Sequence, residues 1–426
     1  MHELSKMIKD DMKPALGVTE PGAIAFAVAK ARSFTKGDIK KVNVAMNSGM
    51  YKNAFTCGIP NSNEVGNIFA AALGVVAGNA DKGLESLADV TPEDNVKAQE
   101  MIDQGKITVE LSGITSRIFI EATVETEEDK AIVTIRDSHT NITKIIVNDK
   151  VELETEDEKK TEEDGGEEES HSIHKYTLQQ LYDYVTTVDI EEIRFINEAY
   201  KVNLELFHEG LENPRTTFAR QLLAINNGKE VSDDEQKTAS LMCNAAIEAR
   251  VIGLDKPAMS ITGSGAHGII ATMPLYAAYK VNGYTEEQLL RATALSYLVC
   301  MYIKEYSGRL SAFCGCAIAA GSGMACALVY LRGGTVEMMA HTLNNMASSI
   351  TGMICDGGNQ GCTMKGVAAV DAAYKSVEFA MNGIYISEVH GINGNTPEET
   401  MRNMGLIASP GMVGTCLLYT SPSPRD

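Results

Sequence analysis

Residues 154–170 read Glu-Thr-Glu-Asp-Glu-Lys-Lys-Thr-Glu-Glu-Asp-Gly-Gly-Glu-Glu-Glu-Ser, and they divide the chain into two parts of different character. The stretch has almost no apolar side chain, so ordering it would cost on the order of 1.5 kcal/mol per residue with nothing to bury. It reads as an acidic linker or loop, an exposed spacer rather than an acidic binding tail. Between Glu152 and Glu169 it gathers eleven acidic residues against two lysines, so much of the formal charge of -20 is local.

Before this break, at residues 1–153, the pattern is mixed α/β. Residues 21–33 predict a helix opened by Pro21, a residue favoured in a first turn. Val42 to Met46 alternates as a strand, and Ile68 to Gly78 predicts a second, small-residue helix. Residues 107–111, 118–124, 131–136 and 144–151 alternate in the manner of half-buried antiparallel strands. After the break, residues 171–415 turn to long Ala/Gly/Met-rich segments at helical spacing: 177–209, 235–252, 267–281, 286–306, 310–332, 335–352 and 364–382. The expected class is α+β, an N-terminal mixed α/β part and a C-terminal, mainly helical bundle. Small residues let its helices approach closely, and the 20 methionines serve as core filler. Residues 416–426 run into a Pro/Ser tail of non-native look.

A hydrophobic fraction of 44% with 22% charged residues is that of a globular chain with ample core, and no apolar run reaches bilayer-spanning length. The start, Met1-His2-Glu3-Leu4-Ser5-Lys6, lacks the layout of a secretory signal, so a cytoplasmic, reducing location is expected. There, nine cysteines are free thiols, catalytic groups or ligands rather than disulfides. The acidic balance argues against a nucleic-acid partner, which would need basic patches.

Six of the nine cysteines fall between residues 300 and 362. Two pairs are informative: Cys314-Gly315-Cys316, and Cys355 with Cys362 across Asp-Gly-Gly-Asn-Gln-Gly. Side chains two apart on a helix point to opposite sides, so Cys314 and Cys316 share one metal only if the backbone is irregular there. The glycines at 357, 358 and 361 are expected to keep the second pair out of a helix and to let a loop fold both thiolates onto one centre. Soft thiolates suit an iron-sulfur cluster or zinc, and the spacing is not that of a zinc finger. Cys300 and Cys326 read equally well as small buried hydrophobes.

Three further stretches have the polarity of substrate-holding loops. Ser260 to Gly268 (Ser-Ile-Thr-Gly-Ser-Gly-Ala-His-Gly) leads into an apolar helix whose N-terminus favours an anion. Ser138-His139-Thr140-Asn141 follows a strand, with a plain polar turn as the alternative. Thr19-Glu20-Pro21 opens a helix, where Glu20 also fits as a first-turn acid.

At these motifs the chain resembles the L-cysteine desulfidase family, related to the alpha chain of iron-sulfur-dependent L-serine dehydratase. The resemblance extends to about Met404. It rests on Lys13-Pro-Ala-Leu-Gly17, Thr19-Glu20-Pro21, Lys52-Asn53, Gly58-Ile59-Pro60 and His139-Thr140-Asn141. In the second half it rests on Glu248-Ala249-Arg250, Gly263-Ser264-Gly265, Ala271-Thr-Met-Pro274, Arg309-Leu-Ser-Ala312, Cys314-Gly-Cys316, and Met353 to Gly357 with Cys362. It implies α,β-elimination on a small L-amino acid: L-cysteine to hydrogen sulfide, ammonia and pyruvate, or L-serine to ammonia and pyruvate. The implied cofactor is a [4Fe-4S] cluster whose open iron is a Lewis acid on the substrate carboxylate and leaving group, with no pyridoxal phosphate.

Carried over by position, the ligands are Cys355, Cys362 and one of Cys314 and Cys316. The implied catalytic residues are Glu20, Lys52 and His139, with His267 as a further base. Thr19, Asn53, Thr140, Asn141, Ser264 and Arg309 would bind the substrate. No membrane partner is implied, and a homo-oligomer is left open. Three departures stand out: Val18 where relatives carry Cys, Ala266-His267 where they carry Asn-Gln, and Asn61-Ser62-Asn63 where Gly-Thr-Gly is common. These keep in play a paralogue that binds an amino acid without turnover. A pyridoxal-phosphate lyase using Lys304 or Lys365 is the weakest alternative.

Overall fold

The computed structural model describes residues 1–115, 117–155, 172–308 and 310–416. Most of the acidic stretch and of the terminal tail, and Arg309, therefore lie outside the described residues. The fold is α+β. Helix α1 (Glu3–Asp11) and strand β1 (Lys13–Leu16) come first, followed by α2 (Thr19–Arg32), β2 (Ile39–Asn47), α3 (Ser48–Ala54), α4 (Gly66–Val76) and α5 (Pro92–Asp103). Strands β3 (Ile107–Gly113), β4 (Phe119–Thr126), β5 (Lys130–Arg136), β6 (Ile142–Val147) and β7 (Lys150–Glu154) complete the N-terminal part. The helical part runs through α6 (Leu178–Thr187), α7 (Ile190–Ile193), α8 (Asn197–Glu212), α9 (Phe218–Ile225), α10 (Glu235–Val251), β8 (Pro257–Ser260) and α11 (Gly265–Asn282). It ends with α12 (Glu286–Ser307), α13 (Gly321–Leu331), α14 (Val336–Ile350), α15 (Gly361–Met381) and α16 (Pro397–Leu406).

Two compact units result, one of Val18–Lys175 and one in which Met1–Gly17 joins Tyr176–Thr415. The N-terminal residues belong to the helical unit because β1 pairs antiparallel with β8, Lys13 opposite Ser260 and Leu16 opposite Pro257. The Ser260 hydroxyl also donates to the Lys13 carbonyl at 2.6 Å.

In the sheet-bearing unit the strand order is β3-β2-β4-β5-β6-β7. Alternation puts Val42, Val44 and Met46 of β2, Ile120, Ala122 and Val124 of β4, and Ala131, Val133 and Ile135 of β5 in the core. α2 packs against β4 and β5, while α4 lies on α2. Of the strands expected to be antiparallel, the one at 107–111 needs correction: β3 pairs parallel with β2, joined to it by a crossover that carries α3, α4 and α5. The single strand expected at 144–151 is instead two, because Asn148 and Asp149 take φ of 48° and 64°, the left-handed pair of a tight hairpin. Asn tolerates that conformation, and β-period alternation continues through it, which is why pattern alone hides the turn.

In the helical unit α10 is buried along nearly its whole length and packs against α8, α9, α11 and α15. Small residues set the spacing: a Cβ added at Gly268 of α11 would lie 1.8 Å from the Met259 carbonyl oxygen of β8. The expected helix at 177–209 is broken at Val188 and Asp189, where the Asp189 carboxylate accepts the Glu191 N–H and starts α7. Residues 310–314 are not helical either; helix resumes at Gly315, and a π-turn at Cys316–Ala320 leads into α13. Among the described residues no helix is long and apolar enough to cross a membrane.

Gly268→Ala should cost about 3 kcal/mol through backbone overlap with β8. Gly352→Ala, where an added Cβ meets nothing within 4 Å, should change stability by less than ~0.5 kcal/mol. Urea unfolding midpoints at unchanged slope check both.

Candidate functional site

In the helical unit the two cysteine motifs meet across a short antiparallel bridge between Phe313 and Ile354. The Cys314 N–H donates to the Met353 carbonyl at 2.7 Å, and the Cys355 N–H donates to the Ala312 carbonyl at 2.9 Å. The backbone at 314–316 is the irregular kind that the spacing demanded. Cys314 lies in the bridge, Cys316 opens the π-turn, and their sulfurs stand 3.4 Å apart. A regular helix would have sent them to opposite sides. Cys362 sits in the first turn of α15 and its thiol reaches the Gly357 carbonyl at 3.3 Å, so the glycines free only the Cys355 side of that pair from helix.

The four thiols are electrostatically coupled. The hydrogen bond from Cys314, helped by the charges of Lys365 and Arg250, lowers the Cys316 thiol to about 6. The same bond, then burial and the neighbouring Cys316, Cys355 and Cys362, raise Cys314 well above the usual thiol range. Burial, then Cys316 and Cys355, lift Cys362 to about 12. Lys365 is half-shielded beside them; burial opposes its charge, but the ion pair with Asp356 and the neighbouring sulfurs of Cys362 and Cys314 outweigh that and raise it.

Next to this group lies the Ser260–Gly268 loop. Thr262 holds φ 52°, an unfavourable value for a β-branched residue, and the Asp11 carboxylate fixes it by accepting its N–H. The Thr262 hydroxyl meets His267 Nδ1 at 2.5 Å and also lies 4.0 Å from the Cys300 sulfur. Gly315 leaves room for the other side of that imidazole: a Cβ there would lie 2.8 Å from His267 Nε2 and 3.2 Å from Lys304 Nζ. Lys304, buried in α12, donates to the Ser311 hydroxyl at 3.0 Å, and Ser311 in turn donates to the Phe313 carbonyl. His267, Lys304 and the Cys314–Cys316 segment are thus packed as one polar core.

In the sheet-bearing unit a second group forms around Glu20. Its Oε1 accepts from Asn53 Nδ2 at 2.8 Å and lies 3.8 Å from His139 Nε2. Thr19, Glu20, Lys52 and His139 are all buried, an unusual concentration of ionisable groups outside water. Thr140 and Asn141 are exposed, and the Asn141 amide is spent on the Arg136 carbonyl, closing the turn after β5. Val18 is a buried helix-start residue with no side-chain cap. Nothing in the sequence singles out Asp11 or Thr262; Lys304 reads there only as a cofactor anchor and Arg250 only as part of a motif. A lysine in the last turn of the helical run 286–306, directly after the apolar stretch, is the one available signal for the Lys304 contact.

The family model of the serine dehydratase alpha chain matches residues 81–418. The chain belongs to the serine dehydratase alpha chain family. A UPF0597 protein of Clostridium botulinum is 41% identical over 411 residues, covering 96% of this chain and 95% of its own. UPF0597 proteins of Caldanaerobacter subterraneus and Bacteroides fragilis are 36% identical over 409 residues and 34% over 412, with the same coverage. The region that matches the serine dehydratase alpha chain contains His139, Ser264, His267 and all four clustered cysteines, whereas Thr19, Glu20, Lys52 and Asn53 precede it.

Iron-sulfur clusters are associated with this dehydratase family, and the donors here fit one by type: four thiols, one held as thiolate, beside the cations Lys365 and Arg250. Among the described residues no three His, Cys, Asp or Glu side chains are drawn up as a closed metal site, so the fit lies in donor chemistry and grouping.

In metal-free protein the Cys316 thiolate should stabilise the fold fully above the ordinary thiol range and lose that contribution as pH falls through about 6. Iodoacetamide labelling at Cys316, read by peptide mass spectrometry, should rise with a midpoint near the same value, and Cys314→Ala should move that midpoint upward.

Proposed function

We propose that the protein is an iron-sulfur-dependent lyase that performs α,β-elimination on a small L-amino acid, with L-cysteine as the lead substrate. The observation that carries this reading is the convergence of Cys314, Cys316, Cys355 and Cys362 through the 313–354 bridge in a dehydratase-family chain. Cys355, Cys362 and Cys316 are the proposed cluster ligands. Cys316 is preferred over Cys314 because thiolates, not thiols, bind metal, and Cys314 serves as its hydrogen-bond donor. Cys355, Cys362 and Cys316 would hold a [4Fe-4S] cluster that would supply Lewis acidity toward the leaving sulfur or oxygen.

The remaining roles belong to side chains. His267, oriented through Nδ1 by the Thr262 hydroxyl, has its Nε2 edge turned to the Cys314–Cys316 backbone and is the proposed base for the α-proton. Loss of that proton with departure of the β-substituent leaves aminoacrylate, which tautomerises and hydrolyses to pyruvate and ammonia. For L-cysteine the sulfur leaves as hydrogen sulfide. Glu20, Lys52 and His139 are proposed as a second acid-base set, with Thr19, Asn53, Thr140 and Asn141 as substrate contacts. Ser264 and Arg309 are proposed contacts as well. The tight Glu20–Asn53 bond supports the view that Glu20 is held rather than free to swing.

The alternative substrate is L-serine, which the family description itself names, and Val18 motivates the reading of a paralogue without turnover. Anaerobically purified protein should release sulfide and pyruvate from L-cysteine faster than it releases pyruvate from L-serine. His267→Gln should lower kcat by roughly 10²- to 10⁴-fold with little change in iron content. Pyruvate from L-serine alone would move the substrate assignment. No product from either amino acid, in an iron-bearing protein, would refute turnover.

A further inference from the structure

Arg250, in the last turn of α10, has only 4% of its surface exposed, yet among the described residues its guanidinium makes no hydrogen bond and no ion pair with a carboxylate, and its Nε is buried without a hydrogen-bond partner. An arginine cannot shed its charge, so a cation this deep, with no hydrogen bond to the Cys316 thiolate beside it, still lacks the directed anion partner that would offset its burial. The nearest carboxylate in sequence, Glu248, is fully committed elsewhere. Its Oε1 accepts the N–H groups of Thr217 and Phe218, and its Oε2 accepts that of Ala219, at the start of α9.

The Arg250 side chain lies against the beginning of α11. A Cβ added at Gly265 would sit 2.7 Å from Arg250 Nε and 2.8 Å from the Ala258 Cβ, so glycine alone leaves the guanidinium in place. α11 is 18 residues long, and Ser264 at its N-cap makes no side-chain cap, so the first-turn amides of Gly265 and Ala266 have no capping side chain. An uncapped helix N-terminus and an unpartnered buried guanidinium face the same spot, and both call for an anion. His267, in the same first turn of α11, lies against Gly315 between the two cysteines, so that spot adjoins the cysteine group.

We propose that Arg250 and the first-turn amides of Gly265 and Ala266 form the binding site for the α-carboxylate of the amino-acid substrate. The inference rests on the lyase reading given above and deepens it. Guanidinium and carboxylate match as a two-pronged pair, and the amides take the charge without reorganisation. Anchored there, the substrate has its α-carbon near His267, two residues along the same helix turn. The site requires a free carboxylate and rejects the corresponding amide, which carries no charge and would leave Arg250 unpaired.

The test is equilibrium binding, by calorimetry on the anaerobically purified full chain, of 2-methyl-L-serine and its carboxamide. 2-Methyl-L-serine has no α-hydrogen and cannot eliminate, so binding is read apart from turnover. Wild type should bind the acid at least 10-fold tighter than the amide. Arg250→Met should weaken the acid by roughly 10- to 100-fold, down to the amide's level. Arg250→Lys should recover part of the loss. Gly265→Ala, which keeps the charge but crowds it, should weaken the acid and leave the amide unchanged.

Iron per chain should stay at the wild-type value in all three variants. Equal binding of acid and amide by wild type, or undiminished acid binding by Arg250→Met, overturns the proposal. So does iron loss in both Arg250 variants, which would make the guanidinium a counter-ion to the thiolates. Failure of L-cysteine and L-serine to turn over would refute the lyase reading, and the acid-amide comparison would still decide this one.

Discussion

Two backbone hydrogen bonds, from Cys314 to Met353 and from Cys355 to Ala312, bring together chain segments some forty residues apart, and the candidate metal chemistry depends on them. They form an isolated bridge, Phe313 opposite Ile354, inside a mainly helical unit. Because the bridge keeps the chain non-helical as far as Cys314 and Cys316 then enters through a π-turn, the pair escapes regular α-helical geometry and the sulfurs come within 3.4 Å. Everything nearby serves to hold that irregular backbone: Ser311 bonds it from one side, Lys304 bonds Ser311, and Gly315 admits the imidazole of His267.

The electrostatics follow from the same packing. Thiols crowded out of water resist ionisation, and Cys362 and Cys314 are accordingly raised. One member is exempt, Cys316, because its neighbour donates a hydrogen bond to it and two cations face it. A single stabilised thiolate among neutral thiols is a reasonable starting point for metal capture, in which further thiols deprotonate as the metal binds. The neutral thiols at Cys300 and Cys326, both lifted to about 12 chiefly by burial, are outside that arrangement and behave as core.

Much of the fold was legible because hydrophobic period is a local signal. The α2 and α4 helices and strands β2 to β5 stand within a few residues of their expected places, and the long Ala-rich helices follow the same rule. What pattern could not show was long-range pairing. Strand β1 belongs with β8 some 240 residues away, and four residues of Lys-Pro-Ala-Leu carry no sign of it. The hairpin at Asn148–Asp149 hid inside continuous alternation. At the site, the clustering of cysteines was visible from spacing, and the bridge that joins them was not. Arg250 was invisible as a binding group for a related reason: its significance lies in lacking a partner, and a missing contact leaves no mark in a sequence.

The central claim, that the 313–354 bridge assembles a cysteine-held cluster, is tested most directly by iron and acid-labile sulfide quantification on anaerobically purified protein. Wild type and the single variants Cys314→Ala, Cys316→Ala, Cys355→Ala and Cys362→Ala would be compared. The account predicts a brown wild-type protein, with near-complete loss of iron in Cys316→Ala, Cys355→Ala and Cys362→Ala and a smaller loss in Cys314→Ala. A colourless, iron-free wild type, or iron content that none of the four substitutions lowers, would contradict it.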